Sequence, residues 1–376
     1  MYLNGHIQVT VISNATGDTI ALKSICSVNK KQDGHSLGAE CEITLPMNCV
    51  IQYKDGKHDY LTQYTVNTQS AFGVGDQINI TANYDGYPTQ NIFNGFITDF
   101  IFGNPMKIKC MDYQYFFNLG IFGQARGASV KINKKKKSPT LQTYGCNYKS
   151  ITLKNLLTNV IGFVNDTIDI KCADAEHISL ILPMPDIELV NITFSMMTPA
   201  AICAYFIKEL GLVVTLRGSE LYVNIASNTT AIINYATNRN VIVSDLQKPA
   251  STFQTYKVKA WFYQPTGKKD SIEIGDVNGQ QRDVYFYRVK QDKDVYNKLA
   301  TEALNKIKQM RFNGTITTYL YPEPILFAKA VYKDIRYPDR TGNYVITHIE
   351  TTIDTGGYRH KLKLAYLTDI NDTTNL

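Results

Sequence analysis

The sequence predicts a mainly β protein with an α+β insert, in which two small β-barrel domains flank a helical segment. Strand-forming residues dominate the 376-residue chain, which contains 25 tyrosines. Apolar and polar residues alternate with a period of two near both ends of the chain. The period changes to that of an amphipathic helix at about residues 153–161 and 292–310. These three observations give the predicted order of barrel, helical insert and barrel.

The first predicted domain, residues 1–125, consists of short strands joined by tight turns. Alternating apolar residues mark strands at 7–11 and 41–45. An Asp-Gly dipeptide ends at Gly86 and an Asn-Pro dipeptide ends at Pro105, and both are typical of turns. Regularly spaced strands with short turns favour a small barrel or sandwich.

The second predicted domain, residues 126–239, is a connector followed by the α+β insert. The connector is basic between Lys131 and Lys137, which indicates either a solvated loop or a contact with DNA or an acidic partner. Apolar spacing predicts a helix over 153–161 that ends at Gly162. Thr198, followed directly by a proline, predicts the start of another helix.

The third predicted domain, residues 240–376, is a second barrel that contains one long helix at about 292–309. Its last strand alternates lysine and leucine over 361–364, which puts charge on one face and apolar side chains on the other. Aromatic residues and lysines interleave over 256–261. That pattern indicates a barrel strand with one wet face or, as an alternative, a stacking platform for single-stranded nucleic acid.

Composition excludes several classes of protein. Hydrophobic residues at 44% and charged residues at 19% are typical of a folded domain rather than a disordered one. A net charge of +6 over this length gives little preference for nucleic acid. The seven cysteines form no Cys-x-x-Cys pair, so we expect reduced thiols of a cytoplasmic product rather than a zinc site. We expect neither a secretory signal nor a membrane-spanning segment.

We predict no catalytic, cofactor-binding or metal-binding residue. The sequence lacks a glycine-rich phosphate loop, a nucleophile elbow and a His-Glu-x-x-His motif. The six histidines do not fall at ligand spacing, and we expect His348 to be structural. Asp99 and Asp112 are the carboxylates placed best for a hydrolase pair, but we expect the Asp99 side chain to close a turn.

Three blocks of the sequence resemble the phage late control D family of baseplate (tail) hubs. Residues 93–99 with 108–112 are similar to the signature of that family's first barrel, residues 151–225 to its inserted segment, and residues 294–366 to its second barrel. The last block includes a strand that ends at His348 and a Gly-Gly-Tyr turn. The chain departs from the family at 321–324 and 327–329, where family members usually carry glycines.

The resemblance implies a trimeric structural hub built from tube-type barrels. Three chains with two barrels each would form a pseudo-sixfold ring that joins a sixfold tail tube to a threefold spike. The implied partners are further copies of the chain, a tail tube or distal tail protein, and a spike or needle protein. The ring would line the DNA channel with transient, non-specific contacts to phage DNA. The implied location is the virion tail, after assembly in the cytoplasm of the bacterial host.

Other functions stay open at this point. The spike-base hub of a contractile injection system or tailocin belongs to the same class. A tail-associated peptidoglycan hydrolase would need a convergent acidic or Cys/His site. A carbohydrate-binding receptor module would account for the many tyrosines and asparagines. We expect a protein without enzymatic activity, because no motif supports turnover.

Overall fold

The computed structural model describes residues 5–46, 50–55, 58–63, 72–122, 147–172, 175–225, 231–247, 255–264, 266–290, 292–309 and 313–366. Strand is the main secondary structure and helices are few, which confirms the predicted mainly β fold. The basic connector between Lys131 and Lys137 lies outside the described residues. Within the described chain, no helix is both long and apolar enough to span a membrane.

The strands and helices follow one another in three groups. The first group is Gly5–Ile12 (β1), Thr19–Leu22 (β2), Ser27–Asp33 (β3), Ala39–Leu45 (β4), Val50–Asp55 (β5), His58–Gln63 (β6), Gln77–Tyr84 (β7), Gln90–Ile101 (β8), Met106–Met111 (β9) and Gln114–Phe117 (α1). The second is Asn147–Thr152 (β10), Leu153–Lys171 (α2), Ser179–Ile181 (β11), Glu188–Thr193 (β12), Pro199–Glu209 (α3), Val213–Arg217 (β13) and Glu220–Asn224 (β14). The third is Ile232–Ala236 (β15), Val241–Ser244 (β16), Tyr256–Tyr263 (β17), Lys269–Gly275 (β18), Gln280–Tyr287 (β19), Lys293–Gln309 (α4), Asn313–Tyr319 (β20), Lys329–Lys333 (β21), Gly342–Asp354 (β22) and Gly357–Tyr366 (β23).

Two β modules share one continuous sheet. We call β1–β9 the first module, and β15, β16 and β20–β23 the second module. The strand order is β16-β20-β23-β22-β3-β4-β9-β8-β7-β1-β2-β5-β6, and β15 pairs with β21, which pairs with β22. The pairing of β22 with β3 therefore joins the two modules edge to edge.

The two modules are open where the sequence predicts closed barrels. In the second module the order β15-β21-β22-β23-β20-β16 is that of a six-stranded ring, but the described residues form no ladder between β15 and β16. The side chain of Asn240 occupies this seam. Its Oδ1 accepts a hydrogen bond from the Ala236 N–H at 2.9 Å, and its Nδ2 donates to the Asn234 carbonyl at 3.0 Å. A side-chain amide thus replaces part of the missing ladder at the edge of β15.

Each module packs a core of its own on the inner face of the shared sheet. The alternation of buried and exposed residues along β4 and β23 is that of strands with one covered face. The first core contains, among others, Val11, Ile43, Ile78, Ile97 and Ile108, and the second contains Tyr332, Ile346, Leu362 and Leu364. Leu320, Ile353 and Tyr358 of the second module pack into the first core. The two cores therefore meet at the module join.

A third core holds the insert together with residues that come much later in the chain. Helices α2, α3 and α4 and the three-stranded sheet β18-β17-β19 share it, through side chains such as Leu156, Phe206, Phe262 and Tyr296. The predicted domain boundaries at 125/126 and 239/240 stay a prediction. Hydrophobic contacts group residues 256–309 with the insert rather than with the second module.

Helix α2 is longer than the sequence predicts. Gly162 lies inside the helix, which continues to Lys171. Phe163, Val164 and Ile168 extend its buried stripe beyond the glycine. Burial of these side chains outweighs the cost of about 1 kcal/mol for one glycine in a helix interior. The predicted end at Gly162 was therefore wrong.

Helix α3 begins where the sequence predicts. The Thr198 Oγ1 accepts a hydrogen bond from the Ala201 N–H at 3.2 Å, and Pro199 is the first helical residue. The threonine satisfies an N–H that has no partner within the helix, and the proline has no N–H to satisfy.

Strand β17 has one wet face, as predicted, but it lies outside the shared sheet. Val258, Ala260 and Phe262 are buried, and the Phe262 ring stacks on the Tyr296 ring of α4 with the centroids 3.6 Å apart. On the other face the Lys259 Nζ lies 3.2 Å from Glu273 Oε1 and 4.7 Å from the centroid of the Trp261 ring.

His360 in β23 is a buried polar side chain at the module join. Its Nε2 donates to the Leu320 carbonyl at 2.8 Å, and its Nδ1 accepts from the Thr351 hydroxyl at 2.9 Å. Both ring nitrogens are therefore satisfied in the neutral form. Burial lowers the pKa of His360 from 6.5 to about 4.

We expect His360 to make the fold less stable in acid. The unfolded chain binds a proton near pH 6.5 and the folded chain only near pH 4, so stability is lost as the pH falls through this window. His360→Gln replaces the ionisable ring by an amide of similar hydrogen-bonding capacity. Urea unfolding at pH 7 and pH 4.5 should show a smaller acid loss for this variant than for the wild type, by about 2 kcal/mol. Equal losses in the two proteins would contradict the assignment.

Candidate assembly interface

The join between the modules is an antiparallel ladder between the second half of β22 and β3. It runs from the pair His348 and Asp33 to the pair Ile353 and Val28. The His348 Nδ1 lies 3.1 Å from Asp33 Oδ2. Although partial burial opposes it, hydrogen bonds from the His35 N–H and from His348 hold the pKa of Asp33 below its usual value. His348 and Asp33 thus bind each other across the first pair of the ladder.

Tyrosines close the join at one end of the ladder. The Tyr84 and Tyr358 rings stack with centroids 5.3 Å apart. The Tyr84 hydroxyl donates to the Tyr358 carbonyl at 2.6 Å and accepts from the Tyr358 N–H at 3.1 Å. Burial raises the pKa of Tyr84. Tyr87 and Tyr321 meet nearby, with ring centroids 5.7 Å apart, beside a groove of about 630 Å³. Ring area and hydroxyl groups thus both contribute to the join.

Five strands of each module repeat the same arrangement. The order β7-β8-β9-β4-β3 in the first corresponds to β21-β22-β23-β20-β16 in the second. The long strand of each module carries a bulge, at Thr98 in β8 and at Thr347 in β22. The Thr98 hydroxyl donates to the Lys109 carbonyl at 3.1 Å, and the Thr347 hydroxyl donates to the Lys363 carbonyl at 3.2 Å. This shared detail aligns the modules residue by residue.

The alignment identifies two sheet edges that correspond to the two sides of the join. The part of β22 that pairs with β3 follows its bulge, and its counterpart is residues 99–102, which we call the β8 edge. The counterpart of β3 is β16 with its continuation, residues 241–247, which we call the β16 edge. In the described chain, β8 beyond its bulge pairs only with β9, and β16 pairs only with β20.

Apolar side chains are exposed at both of these edges. Phe102 is 57% exposed beside Ile101, and Val243 is 58% exposed beside Ile242. The connection from β21 to β22 corresponds to the turn that carries Tyr87, and there Tyr337 is 54% exposed. Exposed apolar residues gathered at sheet edges mark sites of protein association.

The face of the shared sheet that points away from the cores carries charges of both signs. Lys31 pairs with Glu350 at 3.3 Å, and Lys107 pairs with Glu42 at 2.8 Å. The lysines of β23 are exposed on the same face. The prediction that the last strand has a charged face and an apolar face is therefore confirmed. On the charged face of the sheet, lysine alternates with glutamate across the neighbouring strands.

The two carboxylates considered for a hydrolase pair lie in different surroundings. Asp99 is exposed after the bulge of β8, where its Oδ1 accepts from the Phe100 N–H at 2.8 Å. Asp112 is buried beyond the end of β9, and its carboxylate accepts from the N–H groups of Ala39 at 2.6 Å and Gln114 at 2.9 Å. Burial raises the pKa of Asp112 to about 6. Its oxygens hold α1 and β4 in place.

No metal site is formed by the residues that the structure describes. Within those ranges, no group of three or more His, Cys, Asp or Glu side chains comes together in a way that would hold an ion. Cys41, Cys110 and Cys203 are buried free thiols, and Cys26 is exposed. The features that sequence reasoning missed are the two edges. Their signal was the apolar pairs at 101–102 and 242–243, which break the period-two pattern.

The fold of this chain is similar to that of several tail proteins of known structure. A tail protein from Neisseria meningitidis superposes with a TM-score of 0.59 at 12% identity, over 96% of each chain. The 43 kDa tail protein of prophage MuSo2 from Shewanella oneidensis gives 0.53 at 13% identity, over 96% of this chain and 98% of that one. An E. coli component of the type VI secretion system, described as structurally similar to the phage T4 tail proteins gp27 and gp5, gives 0.51 at 7% identity, over 93% and 77%.

These superpositions cover nearly the whole chain, including the insert. They confirm, at the level of the fold, the resemblance to phage baseplate hub proteins. No protein-family model and no curated protein matches the sequence.

We expect Tyr84→Phe to weaken the module join. The change keeps the stacked ring but leaves the buried N–H and carbonyl of Tyr358 without their partner, which costs about 1–3 kcal/mol. The free energy of unfolding from urea titration measures the loss. Tyr87→Phe is the matched control, because the exposed Tyr87 makes ring contacts without a hydroxyl hydrogen bond to any described residue. Equal effects of the two substitutions would contradict this account of the join.

Proposed function

We propose that this chain is a structural hub of a phage tail or baseplate, in which three copies form a ring that joins the tail tube to the spike. The observation that carries the proposal is the repeated module. A chain with two equivalent β modules joined edge to edge can continue the same contact from copy to copy. The fold shared with tail proteins over the whole chain supports the same role.

The number of copies follows from symmetry matching. Three copies with two modules each present six similar units to a sixfold tube, while their inserts repeat only three times and suit a threefold spike. The partners are further copies of this chain, a tail tube or distal tail protein, and a spike or needle protein. The location is the virion tail, after assembly in the host cytoplasm.

The face of the shared sheet that points away from the cores is suited to line the channel. In the described strands its lysines and glutamates lie side by side, so their charges offset each other and weaken the attraction for a polyanion. Contacts with phage DNA would then be transient and non-specific, which favours passage over binding.

A second assembly role has its own support. The fold similarity to a type VI secretion component suits a spike-base hub of a contractile injection system or tailocin. Both roles use the same ring. They differ in the machine that surrounds it, and identification of the proteins that copurify with the chain in particles would separate them.

We also propose that the chain acts without turnover. Asp99 is exposed, whereas the buried Asp112 carboxylate accepts hydrogen bonds from two backbone N–H groups. These different surroundings argue against the acidic pair that a hydrolase would need. Zymography on bacterial walls tests this, and a cleared zone that survives purification to homogeneity would favour a peptidoglycan hydrolase. Glycan-array binding by the chain would favour a receptor module.

We expect the purified chain to assemble into a species of three subunits. Native mass spectrometry should show a mass of about 127 kDa, three times the 42.4 kDa of one chain. In particles, a reconstruction should show the chain between tube and spike. A solitary subunit in the particle would contradict the proposal.

A further inference from the structure

A cleft of about 300 Å³ lies where the two modules and the insert meet. The first module contributes parts of β3 and β8, the insert contributes the end of β13 with its turn, and the second module contributes residues 323–326 between β20 and β21. The Leu216 N–H donates to the Leu37 carbonyl at 2.7 Å, so the hairpin of β13 and β14 is bound to the first module beside the cleft. A ligand in this cleft would therefore contact all three parts of the chain.

Lys30 is a charged residue on the core face of β3. It follows the buried Val28 by two positions and pairs with the buried Cys41 of β4, so its side chain leaves the sheet on the side of the cores and lines the cleft. Lysine is rarely placed there without a partner. Among the described residues, however, none accepts a hydrogen bond from the Lys30 ammonium or forms an ion pair with it. The N–H donors of this group are therefore open to a ligand.

Arg217 brings a second positive charge to the cleft from the insert. Its guanidinium lies over the Tyr222 ring, with the Cζ atom 3.8 Å from the ring centroid. Its Nη2 is buried and has no hydrogen-bond partner in the described part of the chain. A guanidinium donates only in its own plane, and Tyr222 covers one of its faces, so an acceptor has to approach along an edge of the group. A charged donor that is buried without an acceptor is unfavourable, and an anion beside it would relieve this.

Two carboxylates, Glu323 and Asp112, also line the cleft. Glu323 is exposed, and the buried Asp112 already accepts hydrogen bonds from two backbone N–H groups. Burial lowers the pKa of Lys30, and the charges of Glu323 and Asp112 act against this lowering. Both carboxylates are thus near enough to influence the ammonium, but neither forms an ion pair with it, and the cleft leaves space for a further acceptor.

From this arrangement we propose that the cleft binds a small oxyanion, a carboxylate or phosphate group, between the Lys30 ammonium and the Arg217 guanidinium. The oxygens of such a group accept hydrogen bonds from both cations, and the planar fork of arginine suits carboxylate and phosphate alike. Lys30 belongs to the first module and Arg217 to the insert, so the bound anion clamps the insert hairpin onto the module. The site lies within one chain and does not depend on the proposed hub function.

The first experiment measures binding by isothermal titration calorimetry of the full chain, with inorganic phosphate and separately with citrate, at constant ionic strength. We expect a single site, and the ion that binds more tightly identifies the class of oxyanion. Lys30→Met and Arg217→Gln each remove one charge, and each should weaken binding by about 10–100-fold. A wild-type chain that binds neither ion, or that binds no more tightly than these variants, would overturn the proposal.

Two matched controls make the same chemical changes elsewhere. Lys361→Met alters an exposed lysine on the opposite face of the shared sheet, and Arg282→Gln alters an exposed arginine of β19. Both should bind the anion like the wild type, and circular dichroism melts verify that every variant is folded. Binding weakened equally in the controls would assign the effect to the overall charge of the chain and overturn the site.

Glu323→Gln tests the electrostatics of the cleft in the opposite direction. The substitution removes a negative charge that repels an anion, so the oxyanion should bind about 3-fold more tightly than it does to the wild type. A substitution that only disturbs the local structure would not increase the affinity. Unchanged or weaker binding would contradict the placement of the anion beside Lys30.

Hydrogen exchange tests the clamp separately from binding. The Leu216 amide, which donates to the Leu37 carbonyl, should exchange more slowly in the wild type when the tighter-binding ion is present at saturation. In Lys30→Met its exchange should not respond to the same concentration of the ion. A wild-type chain that binds the ion without slower exchange at Leu216 would overturn the clamp.

Discussion

The structure depends on how the backbone groups at its sheet edges find hydrogen-bond partners. A strand at an edge presents unpaired N–H and carbonyl groups, and these must find partners or stay in water. Within the chain, β22 and β3 satisfy each other, and this single ladder turns two modules into one sheet. The buried His360, the stacked pair of Tyr84 and Tyr358, and the side chains that connect the two cores all lie along it.

The tyrosine-rich composition has a physical explanation at this join. A tyrosine ring covers apolar area as a phenylalanine does, while its hydroxyl can reach a backbone group that a sheet edge leaves open. Tyr84 does both for Tyr358. Where the same geometry recurs on the outside of the chain, the corresponding side chains, such as Tyr337 and Phe102, remain exposed.

Sequence reasoning succeeded where a feature is local. Alternation predicted the strands, and Thr198 with Pro199 predicted the start of α3, because a cap acts within one helical turn. Prediction from sequence failed where the local structure depends on residues that are far away in the chain. The end of α2 depends on the burial of its later residues in the third core rather than on Gly162. The missing ladder between β15 and β16 depends on Asn240, whose side chain bonds to the backbone of β15 instead. The grouping of residues 256–309 with the insert has no local signal.

The sequence by itself determined the mainly β class and a resemblance to phage hubs, because periodicity and turn residues act over a few positions. Only the tertiary structure decided that both modules belong to one sheet and that they repeat each other down to a threonine at the bulge. It also decided which edges have no partner in the described chain. His348 and Asp33 pair although they are 315 positions apart in the sequence. Such pairing is set by the competition among all possible sheet edges, and no short stretch of sequence records its outcome.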